Sequence, residues 1–426
     1  GGYDFITLGN HDFNYGREYL KKYLNNLNAT CLCANVTDTT GELPIVPYKI
    51  KTMENGLKIG LLGFTTDFIN RWERPENIKD INITDTFNSV KKYYDEVREQ
   101  CDLVIGIYHG GFEYDLDSHK QLSTTSENIA YKICKEFDFD ILLTGHQHLP
   151  IYNMNLNGTH IAQTPHNGSK FLELKLSLSP NGTKEISSTL KELTINPNNE
   201  MYEKFLSLEN KVQEWLDTPA GFLDKALQPT DRVDMALNGS HLANFINQIQ
   251  LDASKAEIAC TSFANVIKGF NKDVTVRDIM STYPYPNTLV VLEVNREILK
   301  LALERSASYL NNDNGNITIS ESFLKPKVEH YNYDYFANIE YTFDLNNEIG
   351  NRVISIKYNG KELQDNKALT LVMNNYRASG AGGYEFYENC PVVKEILIEM
   401  PEVIINYFKN NPKVTVDTTK YINTIK

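Results

Sequence analysis

Short apolar runs alternate with amphipathic stretches through the first part of the chain. The strand-like runs are Asp4–Leu8, Leu57–Phe64, Leu103–Tyr108 and Ile141–Thr144, and the helix-like stretches are Arg17–Leu27, Asp85–Glu99 and Asn128–Phe137. This alternation predicts a layered α/β domain, with its chemistry on loops at the strand ends. Two turn signals, Asn157-Gly158 and Pro180-Asn181-Gly182, then predict hairpins that close the sheet.

A different pattern follows at residues 197–217. Apolar residues recur there at intervals of three and four, at Met201, Phe205, Leu208, Val212 and Leu216. That spacing forms one helical stripe, and Pro219 and Gly221 end it. We therefore predict a domain over 1–196, a linker helix over 197–217 and a second α/β domain over 218–426.

Composition fits this division. A chain of 426 residues with 41% hydrophobic residues exceeds one ordinary core. The net charge of −13 disfavours a nucleic-acid polymer or an anionic membrane as a partner, because either would be repelled. No apolar run is long enough to span a bilayer. Six cysteines are too sparse for a disulfide framework, so we expect mostly buried free thiols.

Three loops carry the candidate chemistry, and each follows an apolar strand. They are Gly9-Asn10-His11-Asp12, Tyr108-His109-Gly110-Gly111 and Gly145-His146-Gln147-His148. A lone His-Gly-Gly is more often a turn than a ligand. Together, however, imidazole and amide groups on converging loops favour a site for Zn²⁺, Mn²⁺ or Fe²⁺. If the last loop is extended, His146 and His148 point the same way and could serve two adjacent metals.

These blocks resemble a known family. The resemblance is to signature blocks of the calcineurin-like metallophosphoesterases, and it is carried by Leu8–Gly16, Tyr108–Gly111 and Thr144–His148. Within that superfamily the blocks resemble the 5′-nucleotidase family, and most narrowly its 2′,3′-cyclic-nucleotide 2′-phosphodiesterase/3′-nucleotidase branch. Tyr283–Leu289 and Asn374–Tyr384 resemble the substrate-binding segments of that family's C-terminal domain. The resemblance implies an α/β fold: a four-layer αββα metallophosphoesterase domain joined to an α/β 5′-nucleotidase C-terminal domain.

The resemblance also implies roles for the loop residues. Asn10, His109 and His146 would bind one divalent ion and His148 a second, with Mn, Zn, Fe or Co as the candidates. His11 resembles the catalytic histidine that hydrogen-bonds the phosphoryl oxygens. Many 5′-nucleotidases carry an Asp three residues after that histidine, whereas this chain has Asn14. The difference favours the cyclic-phosphodiesterase branch.

In the second domain the resemblance implies a nucleotide-binding site. Tyr285 and Tyr384 would sandwich the base by stacking, which is blind to base identity. Asn374, Arg377 and Gly382 lie in the same segments and are expected to contact substrate. Where 5′-nucleotidases carry a glycine-rich loop followed by Arg, this chain has Thr261–Asn265 without a nearby Arg. A 5′-phosphate clamp is therefore expected to be missing.

The start of the chain departs from the family pattern, because no Asp-x-His loop and no Gly-Asp loop precede Gly9. We expect the N-terminal strands of the first domain to be missing and the two-metal centre to be incomplete. On that view this chain is catalytically silent, although the parent protein is an enzyme, and it associates through an exposed sheet edge.

Two alternatives remain open. The parent protein could be a 5′-nucleotidase or UDP-sugar hydrolase, or a non-catalytic nucleotide-binding surface protein. Family members are usually exported, which predicts a periplasmic, cell-wall or secreted bacterial protein. The free thiols favour a cytoplasmic location instead.

Overall fold

The chain forms two compact units. The computed structural model describes residues 2–123, 125–179, 182–325 and 327–426. The units are Gly1–Asn196 and Pro197–Lys426. Across the described ranges, no helix combines the length and the apolar character needed to cross a bilayer.

The described part of the first unit contains four α-helices and thirteen strands, plus a 3₁₀ turn at Asn10–Phe13. The helices are α1 (Arg17–Asn25), α2 (Ile69–Trp72), α3 (Thr86–Gln100) and α4 (Ala130–Glu136). The strands are β1 (Phe5–Ile6), β2 (Thr30–Leu32), β3 (Val36–Asp38), β4 (Ile45–Val46), β5 (Tyr48–Thr52), β6 (Lys58–Thr65), β7 (Ile81–Ile83), β8 (Leu103–His109), β9 (Ile141–Thr144), β10 (Ile151–Leu156), β11 (Thr159–Gln163), β12 (Lys170–Leu178) and β13 (Lys184–Glu192).

The larger sheet of this unit has the strand order β10-β11-β9-β8-β6-β5. Its strands β6, β8 and β9 are parallel neighbours, so their carboxyl ends lie at one edge. Helix α3 is capped by Asp85, whose side chain accepts a hydrogen bond from the Asn88 amide at 2.7 Å. Its buried stripe of Val90, Tyr94 and Val97 packs against this sheet.

The unit also has a smaller parallel sheet, in the order β1-β2-β4. Helix α1 covers it through Leu20 and Leu24. At the junction of the two sheets, a Cβ on Gly63 of β6 would lie only 2.1 Å from the carbonyl oxygen of Leu32 on β2. The backbones therefore meet with no side chain between them. Helix, sheet, sheet and helix follow in the predicted αββα order.

Two hairpins complete the unit. β10 and β11 join through Asn157 and Gly158, which have φ angles of 52° and 93° and so form the predicted tight turn. β12 and β13 pair antiparallel from Lys170↔Glu192 to Leu178↔Lys184. Of the turn predicted there, residues 180 and 181 lie outside the described part of the chain.

Seven helices and fourteen strands make up the described part of the second unit. The helices are α5 (Asn199–Leu216), α6 (Arg232–Asn238), α7 (His241–Ser254), α8 (Val276–Thr282), α9 (Arg296–Ala307), α10 (Asn375–Ala378) and α11 (Met400–Asn410). The strands are β14 (Pro219–Leu223), β15 (Ile258–Thr261), β16 (Asp273–Thr275), β17 (Leu289–Val294), β18 (Leu310–Asp313), β19 (Asn316–Ile319), β20 (Tyr335–Ala337), β21 (Glu340–Asp344), β22 (Val353–Tyr358), β23 (Lys361–Glu362), β24 (Leu369–Asn374), β25 (Val392–Ile396), β26 (Lys413–Val414) and β27 (Ile422–Ile425).

One core runs through the second unit. It joins the sheet β20-β15-β24-β17-β25 to the sheet β23-β22-β21-β27. Helix α7 packs on the first of these sheets through Phe245, Ile246 and Ile249, all fully buried. Helix α5 contrasts with it, because none of its residues is buried and Phe205 and Leu208 are about 60% exposed.

Most predicted elements occur with small changes at their ends. The predicted helix from Asp85 begins one residue later, since Asp85 is its cap. The strand predicted over Asp4–Leu8 shortens to Phe5–Ile6, because only these two residues pair with β2. All six cysteines are free thiols, five of them buried, as predicted.

The junction of the two sheets can be tested at Gly63. Gly63→Ala places a methyl group against backbone that cannot rotate away, so we expect about 3 kcal/mol of destabilisation. Urea unfolding monitored by circular dichroism measures it.

Gly60→Ala on the same strand is the matched control. There the added carbon would lie 2.3 Å from a methyl group of Val97, a side chain on α3 that can shift. The loss should be smaller than at Gly63, and equal losses would contradict the backbone contact.

Candidate active site

Two histidines at the ends of parallel strands define the site. His109 is the last residue of β8, and His146 lies two residues after β9. Because these strands are parallel neighbours, the imidazole rings lie 5.5 Å apart. Asn10, on the 3₁₀ turn beside the small sheet, places its Oδ1 2.8 Å from His109 Nε2. Three of the predicted metal ligands are thus brought together.

His146 has two further neighbours that the motifs did not indicate. Its Nε2 lies 2.9 Å from Glu127 Oε1, and the indole of Trp72 stacks on its ring at 5.5 Å. The Trp72 Nε1 atom is buried with no hydrogen-bond partner among the described residues. These contacts fix the imidazole plane of His146.

The segment that carries His148 has a different backbone conformation from the one expected. His146 and His148 have φ angles of 67° and 60°, so the segment is left-handed rather than extended and the alternation expected of a strand does not apply. Between them, the buried Gln147 accepts from the Phe112 amide at 2.8 Å and donates to its carbonyl at 2.9 Å. His148 stacks instead on His166 at 5.0 Å.

His11 is exposed on the 3₁₀ turn that also carries Asn10. Its Nδ1 lies 2.8 Å from Asn14 Oδ1, so Asn14 contacts His11 at the position where many 5′-nucleotidases are expected to carry an Asp. Asp12 faces inward, where its carboxylate accepts a hydrogen bond from the Gly9 amide at 2.7 Å. Burial raises the pKa of Asp12, while that bond and His11 oppose the shift.

The donor set can be compared with what a divalent metal needs. Two imidazoles and the Asn10 amide oxygen, with the Glu127 carboxylate beside them, are ligand types that suit Zn²⁺, Mn²⁺ or Fe²⁺. Within the described ranges, however, no group of three or more His, Cys, Asp or Glu side chains is placed to hold an ion. Asn10, His109 and His146 offer donor types that suit a divalent ion, without forming a complete metal site among the described residues.

The predicted nucleotide-binding residues of the second unit lie at different depths. Tyr285 is 38% exposed, whereas Tyr384 is fully buried. The Tyr384 hydroxyl donates to the Asn332 carbonyl at 3.2 Å, and its ring stacks on Tyr387. In this arrangement Tyr384 has no face for a base, and the expected sandwich with Tyr285 is not formed.

Arg377 and Asn374 are also buried, which corrects their expected contact with substrate. Arg377 is 1% exposed and its Nε lies 2.9 Å from Asp334 Oδ2. Its guanidinium also donates to the carbonyls of Tyr331 and Ala381. Asn374 caps helix α10 by accepting from the Arg377 amide. Both side chains therefore hold loop backbone within the second unit.

Gly382 is partly exposed and directly follows Ala381, whose carbonyl accepts a hydrogen bond from Arg377. Its φ angle is 78°, and a Cβ there would lie 2.1 Å from Asn332 Oδ1 and 2.6 Å from an Arg377 nitrogen. Its carbonyl accepts a hydrogen bond from Arg305 Nε at 3.0 Å. Only glycine allows the loop to approach the two arginines this closely.

Comparisons with known proteins identify the family of this chain. The calcineurin-like phosphoesterase profile matches residues 2–150, and the 5′-nucleotidase C-terminal domain profile matches residues 219–389. The chain superimposes with a TM-score of 0.91 on a Staphylococcus aureus protein assigned as a 5′-nucleotidase, crystallised with α-ketoglutarate, at 33% identity over 99% of this chain and 83% of that one. The chain belongs to the 5′-nucleotidase family of calcineurin-like phosphoesterases.

Two curated relatives extend the comparison. The trifunctional nucleotide phosphoesterase protein YfkN of Bacillus subtilis is 25% identical over 95% of this chain and 31% of its own length. A 2′,3′-cyclic-nucleotide 2′-phosphodiesterase/3′-nucleotidase of Yersinia enterocolitica is 24% identical over 87% of this chain and 67% of its own length. The chain thus spans about a third of the length of the Bacillus subtilis relative and about two thirds of the length of the Yersinia enterocolitica relative.

Within this family fold, several supporting residues were not found from sequence. Arg232 donates to the carbonyls of Ala264 and Asn265, although it lies more than 30 residues earlier. His330 accepts from or donates to the Tyr309 hydroxyl at 2.7 Å beside the same loop, and burial lowers its pKa to about 4. Glu127 and Trp72 likewise belong to no motif. Only the rarity of tryptophan, with two in the chain, could have drawn attention to Trp72.

The buried ion pair generates a stability prediction. Arg377→Ala leaves Asp334 as an unpaired buried charge, so we expect about 3–5 kcal/mol of destabilisation, measured by chemical unfolding.

Arg296→Ala is the control, because the Arg296–Asp365 pair is largely exposed and should contribute no more than about 1 kcal/mol. If the two variants lose similar stability, the buried pair does not hold the loops together.

Proposed function

We propose that the parent protein hydrolyses 2′,3′-cyclic nucleotides to 3′-nucleotides and then to nucleosides. Family membership supports nucleotide phosphoester hydrolysis in general. The narrower choice rests on one observation in the second unit: each of its six arginines is already bonded within the unit. Arg232, Arg305 and Arg352 donate to backbone carbonyls, and Arg277, Arg296 and Arg377 to carboxylates.

This pairing argues against a 5′-phosphate clamp. Such a clamp requires a guanidinium free to bind phosphate in the bidentate way that arginine favours. The three arginines nearest the predicted substrate segments, Arg232, Arg305 and Arg377, are committed to holding loop backbone. A substrate whose phosphate lies on the 2′ and 3′ oxygens needs no such clamp in the second unit.

The residues of the first unit would act on phosphorus. Asn10, His109 and His146 would hold a divalent ion, which would supply Lewis-acid polarisation of the phosphoryl group and activation of water near neutral pH. His11 is the residue placed to donate a hydrogen bond to a phosphoryl oxygen. Water adds to phosphorus as the bond to O2′ breaks and O2′ takes a proton, which gives the 3′-monophosphate. A second turnover breaks the bond to O3′.

A second candidate, nucleotide binding without hydrolysis, is favoured by the incomplete metal donor set of the described residues. In that case the surface around Tyr285 would still bind nucleotide.

We also propose export of the parent protein, as is usual in the family, and association through β1, whose one sheet neighbour in the described part of the chain is β2. Free thiols at all six cysteines argue mildly for the cytoplasm.

A substrate panel tests the activity. With Mn²⁺ present, the full-length protein should hydrolyse 2′,3′-cyclic AMP and 3′-AMP at least about tenfold better than 5′-AMP in kcat/KM, a modest difference of about 1.4 kcal/mol in transition-state binding. His109→Ala should lose more than the roughly 10–100-fold typical of residues behind the ligands. A preference for 5′-AMP would overturn the assignment, and binding without turnover would support the second candidate.

The base contact is tested at Tyr285. Tyr285→Ala should raise KM for nucleotides about 5- to 150-fold, since stacking contributes roughly 1–3 kcal/mol. Kinetics on a chromogenic phosphodiester without a base provide the control and should not change. Equal losses on both substrates would show that Tyr285 does not contact the base.

A further inference from the structure

A chain of hydrogen bonds leads from His11 into a loop that no motif includes. His11 Nδ1 contacts Asn14 Oδ1 at 2.8 Å, and Asn14 Nδ2 donates to Glu73 Oε2 at 2.8 Å. Glu73 caps the end of the short helix α2, 59 residues further along the chain. A carboxylate therefore lies behind the amide that contacts the candidate catalytic histidine.

Glu73 is held firmly in this position. Its other oxygen, Oε1, accepts from the Arg74 amide at 2.9 Å and from Asn77 Nδ2 at 2.8 Å. Asn77 also donates to the Asn14 carbonyl at 2.8 Å. The loop that carries Glu73 is thus fastened to the loop that carries His11 at two points, the side chain and the carbonyl of Asn14. Oε2 is the oxygen that faces Asn14.

The carboxylate decides which way the Asn14 amide is turned. An ionised carboxylate only accepts hydrogen bonds, so Asn14 must present its NH₂ group to Glu73 and its carbonyl oxygen to His11. That oxygen in turn accepts only, which requires the hydrogen of the neutral imidazole to be on Nδ1. Nε2 is then the ring nitrogen without a hydrogen.

We propose that Glu73 is a positioning residue that fixes the tautomer and ring orientation of His11 through Asn14. The importance of this for catalysis rests on the proposed function, since Nε2 is then free to take up a proton and, once protonated, donates the hydrogen bond to the phosphoryl oxygen. The arrangement replaces the direct His–Asp contact of many relatives with an amide and a carboxylate in series. The negative charge lies one residue further from the reacting atoms, while the direction of the hydrogen bonds is preserved.

A purely structural role for Glu73 would be to tie two loops together. It differs in one measurable respect, because a loop tie has no effect on which nitrogen of His11 carries the hydrogen. Glu73→Gln separates the two roles. The Arg74 amide and Asn77 keep the oxygen of the introduced glutamine on their side, so its NH₂ faces Asn14. Asn14 must then turn its own oxygen to that NH₂ and its NH₂ to His11, which moves the imidazole hydrogen to Nε2.

The experiment is ¹⁵N-histidine NMR of the 426-residue chain, with the His11 signals assigned through a His11→Gln variant. At about pH 9, where ordinary histidines are neutral, one-bond and two-bond ¹⁵N–¹H correlations distinguish the tautomers. We expect Nδ1–H in the wild type and Nε2–H in Glu73→Gln. Glu76→Gln removes the same charge from an exposed position on the same loop and should keep Nδ1–H.

A double variant provides the rescue. When Asn14→Asp is combined with Glu73→Gln, the new carboxylate at position 14 accepts from both the introduced amide and His11, so Nδ1–H should return. In the metal-loaded full-length protein, kcat should fall about 10–100-fold in Glu73→Gln with little change in KM, and recover in the double variant.

Three results would overturn the proposal: Nε2–H in the wild type, Nδ1–H retained in Glu73→Gln, or a double variant that stays in the Nε2–H form. The wild-type measurement alone suffices if a variant does not fold. The NMR result is independent of turnover, so a wild type without phosphodiesterase activity would refute the proposed function and leave the assignment of Glu73 standing.

Discussion

The two sheets of the first unit approach each other backbone to backbone at Gly63, and the candidate active site depends on this approach. With no side chain between β2 and β6, the segment after β1 lies close enough for Thr7 to donate to the Phe64 carbonyl at 3.4 Å. Asn10 then reaches His109, which is carried by the neighbouring strand β8. Close backbone packing is what allows residues from two sheets to form one cluster.

The second unit organises its loops by a different means, which is buried charge. Arg377 is completely enclosed and divides its donors among Asp334 and two loop carbonyls, while Arg305 and Arg232 donate to carbonyls of neighbouring loops. A buried guanidinium must have each donor satisfied, because an unsatisfied one is costly. The same requirement makes Arg377 effective at fixing loop backbone.

Carboxylates in the first unit orient two imidazole rings, one by direct contact and the other through an intervening amide. Glu127 contacts His146, and Glu73 acts on His11 through Asn14. Both acids lie on loops outside the histidine motifs, and both accept a hydrogen bond from the group that they orient. Orientation of this kind matters in a phosphoesterase because the histidine must present a defined nitrogen to the developing charge.

Local sequence pattern determined much of this protein. The alternation of strands and helices and the helix Asn199–Leu216 follow from side-chain periodicity. The Asn157-Gly158 turn follows from backbone preference. Strand-end position also predicted that His109 and His146 converge, since β8 and β9 are parallel neighbours, whereas the grouping of Asn10 with them came from the family resemblance. The sequence could not show that the segment from His146 to His148 is left-handed rather than extended, because this depends on how Gln147 is held by Phe112. Nor could it show that Tyr384 and Arg377 are buried or that Glu73 lies behind Asn14, because each results from packing between segments more than 40 residues apart. Local pattern fixes which way a strand or helix faces its own core, whereas the partner of a polar side chain is decided only when distant loops meet.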